Sequence, residues 1–149
     1  MDNYQNNTTN VPYLVKDINP GSGSSIPYNF RTMNGTVFFI ADDGTGSKLW
    51  KTDGTSDGTE LVKDIYSEPY LEQLINFNGN LFFEANDGVS GDELWKTDGT
   101  SDGTELVKDI NPGSDGSRPD DFTDINGTLF FTANQELWKT DGTSDGTVR

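Results

Sequence analysis

One segment constrains this chain more than any other. LWKTDGTSDGTELVKDI occupies Leu49–Ile65 and recurs without change at Leu94–Ile110. A third copy starts at Glu136 as ELWKTDGTSDGT, reaches Thr147, and the chain stops at Arg149. The absent LVKDI stands at the other end, as Leu14–Ile18. A repeat cut this way reads as a circular arrangement, in which the tail of the last unit is supplied by the head of a chain.

The period is about 43–45 residues, marked by Trp50, Trp95 and Trp138. Each unit carries the same segments. A stretch ending in Asn-Gly comes first: NFRTMNG (29–35), QLINFNG (73–79), DFTDING (121–127). An apolar run follows: TVFFIA, NLFFEA, TLFFTA. Then come KLWKTDG or ELWKTDG, and finally LVKDI. The runs are short, rich in aromatic and β-branched residues and bounded by turn chemistry, so they read as strands. Asn-Gly between two strands favours a type I′ turn, because both central residues need positive φ. DGTSDG then joins the third and fourth strands, with Asp53 and Asp57 capping backbone N–H groups and Gly54 and Gly58 supplying positive φ. No segment has helical periodicity.

Adjacent apolar residues point to opposite faces of a strand. Phe38 and Phe39, Leu49 and Trp50, and Leu61 and Val62 therefore call for sheets covered on both sides. Four antiparallel strands per repeat, with two buried faces, predict an all-β fold of β-propeller blades. Three blades fall below the usual ring of four to eight. The expected solution is a head-to-tail homodimer with six blades, with a homotrimer of nine as the alternative. Residues 11–149 hold the three units, about 29–65, 73–110 and 121–149 completed by 11–18. The latch would join Val11, Tyr13, Leu14, Val15 and Ile18 of one copy to Leu137, Trp138 and Lys139 of another.

Composition narrows the function. The net charge of −15 disfavours nucleic acid and anionic membranes. Cysteine and histidine are both lacking, which removes disulfides, thiolate chemistry and histidine-dependent triads. No cofactor, metal or catalytic role is expected. MDNYQNNTTN, residues 1–10, has neither a basic start nor an apolar run, so it reads as a flexible polar arm and not as a signal peptide.

ELWKTDGT, LVKDINPGS (106–114) and NGTLFFTA (126–133) together resemble the ELWxxDGT repeat family of bacteria. The resemblance runs from Tyr13 to Thr147, with Lys48 in place of Glu in the first unit. It implies a propeller-like module at the cell surface or outside the cell, and no activity. The function expected is a noncatalytic scaffold or binding module; a multivalent lectin-like protein is the alternative, with carbohydrate as its ligand. The loop-rich rim offers Asp42, Asp43, Asp87, Asp92 and Asp120 as candidate ligand contacts, against the reading of a solvated acidic edge. The tryptophans read as packing between units, against a sugar-stacking role.

Overall fold

A computed structural model describes residues 11–65 and 73–149. The polar arm (1–10) and most of the second linker (66–72) lie outside the described residues. The described chain is all-β, without helices, and forms three antiparallel sheets. The first contains β1 (Tyr28–Met33), β2 (Thr36–Asp42), β3 (Ser47–Thr52) and β4 (Glu60–Leu61) in that order. The second contains β5 (Ile75–Phe77), β6 (Asn80–Asn86), β7 (Asp92–Thr97) and β8 (Glu105–Lys108). The third has three strands, β9 (Asp120–Ile125), β10 (Thr128–Ala133) and β11 (Glu136–Thr140).

Each sheet opens with the turn its Asn-Gly demands. Asn34 and Gly35, Asn78 and Gly79, and Asn126 and Gly127 all have positive φ, between 51° and 82°. Register is the same in all three units: Phe39 faces Trp50, Phe83 faces Trp95, and Phe131 faces Trp138. Because the side-chain period is two, this fixed register sends the same residues of each unit to the same face.

The apolar pairs are buried on both sides of the central sheet. One cluster joins Phe38, Ile40, Leu49, Val62 and Ile65 of the first unit to Leu81, Phe83, Ala85 and Trp95 of the second. A second joins Phe82, Leu94 and Val107 of the second unit to Leu129, Phe131 and Ala133 of the third. No core cluster of described residues unites the first sheet with the third. β5 touches both β1 and β9, so the first strands of the units come together.

Fourth strands are shorter than the sequence pattern predicts. β4 is only Glu60–Leu61, followed by one more bond from Val62 N to Leu49 O. In the third sheet the fourth position is only begun, by an isolated bridge between Lys139 and Val148. Residues 11–18 form no strand within the chain. The edge where they would pair, that of β11, is at the far end of the stack, and a strand has no ladder without a neighbour.

Candidate functional site

The DGTSDGT segment builds one turn three times. Asp53 Oδ1 accepts from Thr55 N at 2.9 Å and from Thr55 Oγ1 at 2.7 Å. Asp98 and Asp141 do the same for Thr100 and Thr143. The threonine hydroxyl bond, then the backbone bond, holds each carboxyl below the usual aspartate range. Gly54 has the expected positive φ of 94°. Gly58 does not; it is needed because a Cβ there would lie 2.0 Å from Asp53 Oδ1. Threonines replace Asp57 as the second capping group: Gly58 N donates to Thr55 Oγ1, and Thr52 and Thr59 share a hydroxyl bond of 2.7 Å. The copies of that pair, Thr97 with Thr104 and Thr140 with Thr147, are buried. The pairing of these two hydroxyls across the turn was not legible in the motif, where Asp and Gly dominate the turn signal.

These turns are also where one sheet grips the next. Lys63 of the first unit donates to Ser101 O and Thr104 O of the second, at 3.2 and 2.6 Å. Lys108 of the second donates to Ser144 O and Thr147 O of the third, at 3.1 and 2.7 Å. Lys51 and Lys96 reach Gly99 O and Gly142 O in the same order. The rings of Phe38 and Phe82 lie against Gly99 and Gly142. Each of these lysine and phenylalanine contacts in one junction thus has its counterpart in the other.

Parts of a third junction stand at the two ends of the stack. Lys16, from the lone LVKDI, donates to Ser56 O and Thr59 O of the first unit at 3.3 and 2.6 Å. Ile18 packs on Phe39, Ala41 and Trp50, as Ile65 packs on Phe83, Ala85 and Trp95. The lone segment therefore occupies the place of a fourth strand belonging to a unit before the first. Among the described residues, no strand of such a unit accompanies it. An apolar groove of about 380 Å³ lies beside it, lined by Leu14, Val15, Ile18, Phe30, Phe39 and Gly54. Gly54 has nothing within 4 Å of a built Cβ, whereas Gly99 and Gly142 meet phenylalanine rings. Val11, Tyr13 and Leu14 are exposed.

The opposite end carries the complementary groups. Leu137 is 65% exposed, while its counterparts Leu49 and Leu94 are at 2% and 0%. Phe130 is only half-buried, and Lys139 is exposed with no side-chain partner among the described residues. Trp138 is half-buried and packs against the cluster between the second and third sheets. Within one chain, the expected latch residues at 11–18 and 137–139 therefore lie apart, one set at each end of the stack.

The rim carboxylates are tied to their own loops. Asp42 accepts from Gly44 N and Gly46 N. Asp43 accepts from Thr45 and pairs with Lys48 at 3.0 Å. Asp87 accepts from Val89 N and Ser90 N, Asp92 from Asn86 Nδ2, and Asp120 from Asp121 N. Among the described residues, no three acidic side chains gather where a metal could bind. Trp95 is buried between the first two sheets and Trp50 is buried in a cluster with Ile18, Phe39 and Ala41, so both are closed to a sugar ring.

One buried acid escaped sequence reasoning. Glu93 is fully buried and holds the linker that leaves the second unit. It accepts from Ile110 N at 3.0 Å, Asn111 N at 2.9 Å and Ser117 Oγ at 2.6 Å. The first unit has Lys48 at this register, paired with Asp64 at 2.8 Å. Burial pulls the Lys48 ammonium down, but hydrogen bonds to Asp64 and Asp43 outweigh it and leave its pKa raised. The available signal was a pairing within the sequence: Glu93 precedes LWKTDGT in the unit whose following linker begins INPGS, and Lys48 in the unit whose linker does not.

Comparison with known proteins found no matching family model, no matching curated protein and no matching solved structure.

Proposed function

We propose that this chain is a noncatalytic scaffold of three β-propeller blades that closes into a ring with a second copy. The observation that carries the reading is the repeated junction. Two copies of it lie inside the chain, and the third is divided between the ends. A second molecule brings Leu137, Phe130 and Lys139 to the groove beside Leu14–Ile18, where Gly54 leaves space for a ring. Lys139 then reaches Gly54 O, as Lys51 reaches Gly99 O. The convergence of β1, β5 and β9 suits inner strands around a central axis. Six blades fall within the ordinary range of closed rings, and nine do not. The resemblance to ELWxxDGT proteins agrees with a repeat scaffold placed outside the cell, with any ligand received on its loop-rich rim. No observation favours the lectin-like alternative, since two of the three indole faces are buried.

Mass in solution tests the reading. Native mass spectrometry and sedimentation should give twice the chain mass of 16.4 kDa. A monomer at every concentration overturns closure, and three times the chain mass replaces the dimer with a nine-bladed trimer.

A further inference from the structure

We propose that Glu136 is the receiving half of a clamp between molecules, binding the Ile18–Ser25 loop of a second copy as Glu93 binds Ile110–Ser117 within the chain. The inference rests on the ring reading and names the contact that sets its register. Glu136 and Glu93 occupy the same place in their sheets: Glu93 is opposite Ala85, and Glu136 is opposite Ala133. Their environments differ completely. Glu93 is fully buried with three donors, while Glu136 is exposed.

The loop that Glu93 holds reads INPGSDGS, and residues 18–25 read INPGSGSS. The two have the same length and share their backbone marks. Gly21 and Gly113 have φ of 107° and 121°, and Ile26 and Arg118, just beyond, are both at positive φ. Ser25 O accepts from Asp42 N as Ser117 O accepts from Asn134 N. The donors that Glu93 uses are Ile110 N, Asn111 N and Ser117 Oγ. Their counterparts Ile18 N, Asn19 N and Ser25 Oγ have no acceptor among the described residues. The second linker, after the first unit, follows Asp64-Ile65 with YSEP and is matched by Lys48, so Glu136 has one loop of the right type left to it. That loop cannot come from its own chain, because Ile18 is packed on the first sheet and Glu136 is in the third.

In the single chain Glu136 has a temporary partner. Arg149 donates to Glu136 Oε2 at 2.5 Å, and Val148 makes two 2.9 Å backbone bonds to Lys139. Val148 is thereby in the place where Glu105 pairs with Lys96. The incoming Tyr13 has the same position in its motif, so the C-terminal pair stands on the edge that the latch must take. One residue lowers the fit: Ser24 replaces Gly116, whose φ of 66° brings the linker backbone against Asp92.

The test uses the full chain. Self-association is measured by sedimentation for wild type, Arg149→Ala, and Arg149→Ala with Glu136→Gln. A labelled peptide of residues 11–25 is titrated against each chain by fluorescence anisotropy, below the concentration of self-association. Arg149→Ala should tighten both equilibria by about two- to fivefold, the range of an exposed ion pair. Adding Glu136→Gln should weaken both about tenfold or more, because three hydrogen bonds lose a charged acceptor. Melting of the chain below the concentration of self-association should change little, since Glu136 is exposed. If the chains associate but Glu136→Gln changes neither equilibrium, the clamp is wrong and the ring stands. If the chain stays monomeric yet binds the peptide in a Glu136-dependent way, the ring is wrong and the clamp stands. Absence of both association and peptide binding overturns the two together.

Discussion

The ring tip of Phe38 lies 2.8 Å from the point that a Cβ on Gly99 would occupy. Phe82 makes the same approach to Gly142, at 3.2 Å. Both glycines also have φ near 95°, where an L side chain is strained. Gly99→Ala should therefore destabilise the chain by about 2–4 kcal/mol, combining backbone strain with overpacking. Gly54→Ala has the strain but no neighbour within 4 Å, so it should cost the single chain only about 1–2 kcal/mol. In the proposed ring it also obstructs Phe130, and so should weaken association beyond its effect on melting. Denaturant unfolding of the two variants, beside sedimentation of Gly54→Ala, checks the difference.

Leu94 and Leu137 have the same register and opposite exposure. Leu94→Asp buries a charge in the core between the second and third sheets and should abolish folding. Leu137→Asp should leave the single chain folded, with circular dichroism and melting close to wild type. It should nonetheless prevent self-association, because covering a leucine contributes about 1.5–3 kcal/mol and an aspartate reverses that gain. An associated Leu137→Asp chain of unchanged affinity would place the contact elsewhere.

Buried hydroxyls should matter more than the acidic residues around them. Thr97 accepts from Gly99 N at 2.9 Å and shares a bond with Thr104 at 2.7 Å. Thr97→Val keeps the shape and leaves the buried N–H of Gly99 without an acceptor. The expected cost is about 1–3 kcal/mol, read as a lower denaturation midpoint with an unchanged slope. Asp102→Asn, in an exposed position of the same turn, serves as the control and should change little.

Asp53, Asp98 and Asp141 have carboxyl pKa values held below the ordinary aspartate value by Thr55, Thr100 and Thr143. A depressed folded pKa means that the unfolded chain binds protons first as pH falls. Their contribution is thus complete above about pH 4–5 and is lost as pH drops through the folded values. Melting temperature should fall progressively below about pH 4. Changing all three to Asn should lower stability at neutral pH and flatten that acid dependence. A triple variant with wild-type acid behaviour would show that other carboxylates govern it.

Much of the local structure was legible in the sequence because it is governed by short-range chemistry. Asn34-Gly35 fixed a turn with both φ positive, and the Phe38-Phe39 pair required cover on both faces of its strand. The Gly58 role was misread, because its reason is contact with Asp53 and not its own dihedral. Glu93 was passed over for a further reason: an exposed-looking acid in a repeat gives no sign that a linker 17 residues later will close over it. The cut repeat pointed to Val11–Ile18 and Leu137–Lys139, but not to the Val148–Arg149 pair that stands on the same edge.

By itself, the sequence determined the period, the strands, their turns and the two-faced burial, since these follow from side-chain alternation and the φ demands of glycine and asparagine. Only the tertiary structure decided which groups meet across the junctions. Lys16 reaches Thr59 across 43 residues, and Lys63 reaches Thr104 across 41. Such contacts depend on how one twisted sheet lies on the next, a geometry set by the summed packing of both faces and not by any short segment. The same packing leaves Gly54 open and Leu137 exposed while their copies are buried, because each copy has a neighbouring sheet among the described residues and these two do not.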